Sequence, residues 1–286
     1  MGVSLMSVEL QFIESSTFKI AKPFIKWPGG KQSLATTLIN FFPQSFSKYY
    51  EPFVGGGSVF FALSPKSAVL SDENKWLIDT YLALKTNWEK VAGYLDKMIN
   101  TNEEFLKIRA IDPWKLNLFE RAAHFIYLNK TCFRGLFRVN SKGGFNAPYG
   151  AYNRRYYDPQ NIEAVVSMLS DVQIKSGDFE FGIDGITPDD FVYFDPPYYP
   201  VNETSKFTAY TKDAFLEEAQ EKLAEVFKKL DKRGCKVMLS NSDTKFIRDL
   251  YKDYKKYTAV VGAKRFINCV AEKRGEITEV VVRNYK

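Results

Sequence analysis

The segment of residues 49–72 constrains the fold most, because its pattern changes from strand to glycine turn to helix and back to strand. An apolar run continues into Glu51-Pro52-Phe53-Val54-Gly55-Gly56-Gly57, a short helix is predicted over residues 59–63, and a strand over residues 68–71 ends at Asp72. Two consecutive strands joined through a helix run parallel, since a parallel pair needs a long crossover. The segment therefore predicts an α/β fold with a parallel sheet.

The same pattern returns in the second half of the chain. Apolar strands are predicted over residues 172–175, 191–194 and 236–240, and a late strand over residues 277–283. The helix before residue 236 repeats its apolar positions every three or four residues: Phe215, Leu216, Ala219, Leu223, Val226, Phe227 and Leu230. Residues 76–129 are mostly helical by pattern, and residues 134–157 indicate a hairpin or loop. We expect a doubly wound sheet with an inserted, mostly helical region at residues 73–170.

Composition excludes several classes of protein. The chain of 286 residues is 45% hydrophobic and 26% charged, which is typical of a soluble globular protein. No apolar run approaches the about 18 residues of a membrane span, and residues 1–10 lack the pattern of a secretory signal, so a cytoplasmic protein is expected. The net charge of +6 suits a polyanionic partner without requiring one.

Cysteine and histidine usage excludes several kinds of site. Cys132, Cys235 and Cys269 are far apart, which favours neither a disulfide framework nor a structural zinc site. The single histidine, His124, lies in an apolar helical stretch and is interpreted as a packing residue. Ser/His/Asp chemistry and two-histidine metal sites therefore lack a base or a ligand, and no metal is expected.

The most specific chemical signal is Asp195-Pro196-Pro197-Tyr198, directly after the strand that ends at Phe194. Two prolines end the strand and supply carbonyls without N–H donors, and the carboxylate lies at the carboxyl edge of the sheet. An exocyclic amine on a planar base needs two acceptors for its hydrogens and an aromatic face for its ring. The tetrapeptide therefore predicts a site for such an amine, although a simple Pro-Pro turn has the same sequence.

The glycine turn is the second signal. Gly55, Gly56 and Gly57 let the backbone approach a ligand at the first strand-to-helix turn, and Asp72 follows Glu51 at a spacing that suits a nucleotide ribose. The turn departs from GxGxxG, which makes a nicotinamide cofactor the weaker interpretation. Residues 27–31 lack the glycine spacing and the Ser or Thr of a phosphate loop, so an NTPase is rejected.

Four motifs together resemble the DNA adenine methyltransferase (Dam) family. In chain order they are Lys26-Trp27-Pro28-Gly29-Gly30-Lys31, Glu51-Pro52-Phe53-Val54-Gly55-Gly56-Gly57, Phe145-Asn146-Ala147-Pro148-Tyr149-Gly150 and Asp195-Pro196-Pro197-Tyr198. The resemblance implies S-adenosyl-L-methionine as methyl donor, double-stranded DNA as partner and a Rossmann-like sheet. It also implies that residues 1–72 and 171–286 form the catalytic domain and that residues 73–170 form a target-recognition region.

The resemblance assigns roles residue by residue. Asp195, Pro196, Pro197 and Tyr198 would act on the adenine amine. The residues implied in cofactor binding are Trp27, Lys31, Phe53, Gly55, Gly57, Asp72, Asp178, Phe179 and Asp195. A cytosine amine would suit the same acceptors, and a non-catalytic DNA-binding module that keeps the fold is a further alternative.

The segment of residues 129–140 resembles the family's recognition hairpin. The residues implied in DNA binding are Lys26, Phe133, Arg134, Leu136, Arg138 and Asn140. Phe133 would wedge between base pairs and Arg138 would bind a guanine through two hydrogen bonds, although contacts to phosphates alone stay open. GATC is the expected target, but Arg134 stands where GATC-specific members commonly carry Asn. A cognate restriction endonuclease is a conceivable partner, without a stable complex.

Overall fold

Strands of three to eight residues build the sheet, and most of them are apolar on both faces. The computed structural model describes residues 21–140, 143–153, 155–201, 215–264 and 276–286. The strands are β1 (Tyr49–Glu51), β2 (Ala68–Asp72), β3 (Val172–Ser176), β4 (Phe191–Phe194), β5 (Lys236–Ser242), β6 (Ala259–Lys264) and β7 (Glu276–Arg283).

Within the described residues these strands form one seven-stranded sheet in the order β3-β2-β1-β4-β5-β7-β6. The first five strands in this order pair in parallel, and β7 runs antiparallel to both β5 and β6. Strand order reverses at β1, which pairs with β2 on one side and with β4 on the other. Ligands of open α/β sheets bind at such a switch point, outside the carboxyl ends of the strands.

Helices cover both faces of the sheet. They are α1 (Ala35–Ile39), α2 (Ser58–Leu63), α3 (Lys75–Leu95), α4 (Asn102–Ala110), α5 (Leu118–Thr131), α6 (Pro159–Leu169), α7 (Phe179–Gly182), α8 (Glu217–Lys232) and α9 (Lys245–Leu250). Alternate residues of a strand enter different cores: Tyr193 packs with the helices between α1 and α6, whereas Val192 and Phe194 pack with α7 to α9. Burial on both faces explains why the strands read as continuous apolar runs.

The expected α/β fold is confirmed, including the late strand near the C-terminus and the helices over residues 76–129. Strand β6 was not predicted: it is an edge strand whose short apolar run, Ala259 to Val261, is partly exposed. The helices of residues 73–170 share the first core with β1 and β4, and α3 packs against β2 and β3. Whether this region acts as a unit in DNA recognition stays a prediction.

Further expectations concern His124, the cysteines, metal sites and membrane spans, and some of these residues lie outside the described part of the chain. His124 is buried in α5, and burial lowers its pKa to about 4, as suits a neutral packing residue. Cys132 and Cys235 are buried thiols, whereas Cys269 and residues 1–10 lie outside the described residues. In the described ranges we find neither a group of residues fit to hold a metal ion nor a helix long and apolar enough to span a membrane.

Candidate active site

Asp195 leaves the end of β4 and lies among donors from other elements. Ser240 in β5 donates its hydroxyl to Asp195 Oδ1 at 2.7 Å, and the Lys31 ammonium lies 2.9 Å from the same oxygen. Lys31 is itself buried, with only 7% of its side chain exposed, and it also donates to the Gly29 carbonyl at 2.9 Å. In the described part of the chain, Asp195 Oδ2 accepts no hydrogen bond, so this oxygen can accept one from a ligand.

The two prolines differ in what their carbonyls contact. The Pro197 carbonyl accepts a hydrogen bond from Gln220 Nε2 at 2.9 Å, and Asn241 in turn donates to Gln220 Oε1 at 2.9 Å. Among the residues that the structure describes, none donates to the Pro196 carbonyl. The Pro197 carbonyl therefore anchors the turn to α8, whereas the Pro196 carbonyl is available as an acceptor beside Asp195.

Tyr198 is held by its hydroxyl as well as by its ring. The hydroxyl donates to Glu279 in β7 at 2.8 Å, and the Lys31 ammonium lies 4.3 Å from the ring centroid. Burial and the neighbouring Asp195 carboxylate hold the pKa of Tyr198 well above its usual value, so the hydroxyl stays protonated. The aromatic ring is thus fixed beside Asp195 and Pro196.

Next along the sheet, the glycine turn after β1 meets the carboxyl end of β2. Asp72 accepts hydrogen bonds from the backbone N–H of Gly55 at 3.0 Å and of Asn74 at 2.9 Å. Burial is the main reason that the pKa of Asp72 rises to about 6. Gly55 has a φ of +47°, and a Cβ there would come within 2.5 Å of the Trp27 ring. The glycine is therefore required by the close approach of Trp27.

An aromatic wall continues the site toward β3. The ring of Phe53 stacks on that of Phe179 with 5.6 Å between centroids, and Phe215 meets Phe53 edge to face. Asp178 is exposed and caps α7 by accepting from the Phe181 N–H at 2.9 Å. A flat ring beside this wall, a ribose at Asp72 and a tail along the glycine turn would fill the edge from β3 to β1, so these residues fit a nucleoside with an amino acid tail.

Five of the six predicted recognition residues, all except Lys26, lie on the loop and hairpin after α5. Phe133 is 46% exposed, and the Arg134 guanidinium lies 5.1 Å from its ring. Arg138 is exposed and bonds Asn146 through Nε at 2.7 Å and Nη2 at 3.0 Å. The remaining residues are more constrained, since Leu136 is half-buried and Asn140 accepts from the N–H of Gly144 at 3.0 Å. The structure thus presents an exposed aromatic side chain and two arginines on one segment.

Asn129 fastens this segment to the first motif. Its side chain accepts from the Lys26 N–H at 2.9 Å and donates to the carbonyls of Lys26 at 2.8 Å and Gly135 at 3.3 Å. Trp27 stacks on Phe137 with 5.4 Å between centroids. Lys26 and Trp27 therefore connect the hairpin to the glycine turn, and both predicted faces of the site meet at these two residues.

Sequence reasoning missed several residues of this site. Asp195 and Asp72 were found because a polar residue follows an apolar strand, and the same signal was present in Ser240-Asn241-Ser242 at the end of β5. Glu51 at the end of β1 is buried, accepts from the Tyr49 hydroxyl at 2.9 Å, and has a pKa raised well above its usual value by burial. The residues that were not predicted are Glu51, Asn129, Tyr193, Gln220, Ser240, Asn241 and Glu279.

Comparison with known proteins agrees with this geometry. Residues 27–265 match the model of the family described as D12 class N6 adenine-specific DNA methyltransferase. The Type II methyltransferase M1.LlaDCHI of Lactococcus lactis subsp. cremoris is 41% identical over 273 residues, which cover 92% of this chain and 95% of that protein.

Two further relatives come from an archaeon and from another bacterium. The Type II methyltransferase M.MjaIII of Methanocaldococcus jannaschii is 41% identical over 92% of this chain and 99% of its own length. The DNA adenine methylase of Escherichia coli strain K12 is 30% identical over 91% of this chain and 94% of its own length. The similarity therefore extends over nearly the whole of each protein.

Proposed function

Because the chain belongs to the family of D12 class N6 adenine-specific DNA methyltransferases, we propose that it transfers a methyl group from S-adenosyl-L-methionine to the N6 amine of an adenine flipped out of duplex DNA. The observation that carries this proposal is a pair of acceptors beside the Tyr198 ring, Asp195 Oδ2 and the Pro196 carbonyl, to which none of the described residues donates a hydrogen bond. The family excludes the alternatives of a cytosine-specific enzyme and of a non-catalytic binding module.

In the proposed reaction Asp195 Oδ2 and the Pro196 carbonyl each accept a hydrogen bond from one N–H of the amine. Both hydrogen bonds draw the amine nitrogen out of conjugation with the ring, so that its lone pair becomes available as a nucleophile. Tyr198 stacks on the base and fixes its plane. The protein thus contributes orientation and hydrogen-bond acceptors, which are worth most in a site from which water is excluded.

The methyl donor would lie along the carboxyl ends of β1 to β3. Asp72 would accept from ribose hydroxyls, and Phe53 and Phe179 would contact the flat ring, with Asp178 at its edge. Trp27, Lys31, Gly55 and Gly57 would surround the amino acid end. When bound, S-adenosyl-L-methionine supplies an electrophilic methyl group.

DNA would be held by Lys26 and by the hairpin, with Phe133 as the wedge and Arg138 as the guanine reader. Leu136, Arg134 and Asn140 would complete the contacts. We propose GATC as the target on the strength of the hairpin's resemblance. The Type II names of two relatives support a role beside a companion restriction endonuclease that acts on the same sequence.

To test the proposed reaction, the purified protein is incubated with tritium-labelled S-adenosyl-L-methionine and duplex DNA. The modified nucleoside is then identified by mass spectrometry. We expect N6-methyladenine. DNA from an expressing host is next digested with a nuclease that cuts only unmethylated GATC. Full cutting, with methyladenine found elsewhere in that DNA, would reject GATC and leave the reaction standing.

Asp195→Ala is the matched test of the catalytic assignment. We expect methyl transfer to fall by at least about 1,000-fold with the affinity for DNA nearly unchanged, because the carboxylate orients the amine and does not contact phosphates. Both quantities are measured on one preparation, with Asp249→Ala on the surface of α9 as control. Turnover near the unaltered rate would overturn the assignment.

A further inference from the structure

A pair of buried hydroxyls lies behind the carboxylate of Asp195. Ser240 Oγ is 2.7 Å from Asp195 Oδ1, and Tyr193 Oη is 2.7 Å from Ser240 Oγ. Tyr193 lies in β4 and Ser240 in the neighbouring β5, and both side chains are fully buried. The two hydroxyls thus form a chain that reaches the candidate catalytic group from inside the sheet.

Chemistry fixes the direction of this chain. An ionised carboxylate only accepts hydrogen bonds, so the Ser240 hydroxyl must donate its single hydrogen to Asp195. Ser240 is then the acceptor for Tyr193, which donates. Burial is the main reason that the pKa of Tyr193 stays well above its usual value, with the Asp195 carboxylate adding to the effect. Tyr193 therefore remains a donor at neutral pH.

The chain determines which oxygen of Asp195 is free. Oδ1 is occupied by Ser240 and by the Lys31 ammonium, one from the sheet and one from the first motif. Any rotation other than a half-turn, which only exchanges the two equivalent oxygens, would break both contacts and leave the Ser240 hydroxyl buried without its acceptor. The carboxylate is therefore held in the orientation that leaves Oδ2 unengaged.

We propose that Ser240 and Tyr193 are positioning residues for methyl transfer, which hold the Asp195 carboxylate so that Oδ2 faces the adenine amine. The inference rests on the proposed function of this site. It adds a hydrogen-bonded support made of two residues that are not among those proposed to contact the base or the methyl donor. Its removal should therefore slow the chemical step and leave both binding steps unchanged.

The test compares Ser240→Ala, Tyr193→Phe and the double variant with the unaltered enzyme. The single-turnover rate at saturating methyl donor and DNA is measured, together with the dissociation constants of both ligands. Ser240→Ala is expected to slow the rate about 10- to 30-fold and Tyr193→Phe about 3- to 10-fold, since small misplacements of reacting groups are costly. Both dissociation constants should stay within about two-fold.

The double variant tests whether the two hydroxyls act through one contact. We expect it to be no slower than Ser240→Ala alone, because Tyr193 acts on Asp195 only through Ser240. Tyr251→Phe is the matched control: it also removes a buried hydroxyl, one without a hydrogen-bond partner among the described residues, and should leave the rate unchanged.

Three outcomes would overturn the inference. They are an unchanged rate in Ser240→Ala, losses in the double variant that multiply, and a loss of ligand binding as large as the loss of rate. If the unaltered protein fails to methylate any DNA, the proposed function fails and the inference falls with it. An active parent beside an equally active Ser240→Ala rejects the inference alone.

Discussion

Tyr198 combines two contacts that substitutions can separate. Its ring would stack on a flipped base, whereas its hydroxyl anchors the ring to Glu279 at 2.8 Å. Removal of the hydroxyl costs one hydrogen bond to a charged group, about 1.5–3 kcal/mol at most, but leaves the aromatic face in place.

Base flipping can therefore be followed at this residue. With 2-aminopurine at the target adenine, fluorescence should rise on binding as the base leaves the stack. We expect Tyr198→Ala to lose most of this rise and Tyr198→Phe to keep most of it, because stacking needs only the ring. Equal responses of the two variants would contradict the stacking role.

If Asp72 binds the ribose as proposed, it should make binding of the methyl donor sensitive to pH. Since its pKa is raised to about 6, the carboxyl becomes protonated below that pH and loses acceptor capacity toward ribose hydroxyls. The dissociation constant of S-adenosyl-L-methionine should be about ten-fold larger at about pH 5 than at about pH 7.5, as measured by calorimetry. In Asp72→Asn this dependence should disappear. A flat profile in the unaltered protein would exclude Asp72 from the contact.

At the level of single residues, the sequence gives a signal where a polar residue follows an apolar strand or belongs to a family motif. Asp195 and Asp72 follow apolar strands, and the four motifs identify the family. Ser240 and Asn129 carry no such signature, because each acts through a neighbour that only the folded chain supplies. Ser240 reaches Asp195 across 45 residues of sequence, and Asn129 reaches Lys26 across 103.

At the level of elements, the segment after α5 was predicted as a hairpin or loop and is a sparsely paired hairpin. Isolated bridges join Cys132 to Tyr149 and Val139 to Phe145. Its position depends instead on Asn129 and on the stack of Trp27 with Phe137, which no local pattern encodes. The described residues of the hairpin are therefore held in place mainly by contacts with Lys26 and Trp27 and much less by strand pairing.

Specificity for a DNA sequence should reside in this hairpin. Arg138 contacts Asn146 through Nε and Nη2, and these contacts would be exchanged for guanine O6 and N7 on binding. Arg138→Ala is expected to cost about 1–3 kcal/mol of discrimination at one base pair and to raise methylation of sites altered there. Methylation rates on a set of singly altered duplexes measure this effect.

Arg248→Ala is the control for this experiment, because Arg248 is an exposed arginine on α9 that pairs with Asp243 at 2.5 Å. It should leave the ranking of the duplexes unchanged. If Arg138→Ala weakens methylation of all duplexes alike, the arginine contacts phosphate and does not read a base.

For the whole molecule, the first of the two cores joins the sheet to the helices that precede the hairpin. Leu77 in α3 and Phe125 in α5 are buried in the same cluster as Tyr49 and Phe191 of the central strands. Strand order across the sheet was beyond sequence reasoning, because pairing of β1 with β4 depends on contacts between residues more than 100 apart. Edge strand β6 escaped prediction for a related reason: Val260 is 51% exposed, so β6 lacks the buried pattern of the inner strands.

A shared core predicts one cooperative unfolding transition. Circular dichroism and tryptophan fluorescence should give coincident thermal curves, although three of the four tryptophans lie within residues 73–170. Leu77→Ala should lower the free energy of unfolding by about 2–5 kcal/mol, whereas Leu106→Ala, at a position 42% exposed, should change it by about 0.5 kcal/mol or less. Two separated transitions would show that residues 73–170 fold as an independent domain.

Strand β7 lies between β5 and β6 and supplies Glu279 to the Tyr198 hydroxyl. During synthesis the ribosome therefore exposes the catalytic turn long before the strand that anchors it. A nascent chain can build β1 to β5 in sequence, but Tyr198 gains its anchor only after residue 279 has left the exit tunnel. Chains stalled before residue 276 lack both this anchor and the strand between β5 and β6, and are expected to transfer methyl groups far more slowly than chains that carry residues 276–286.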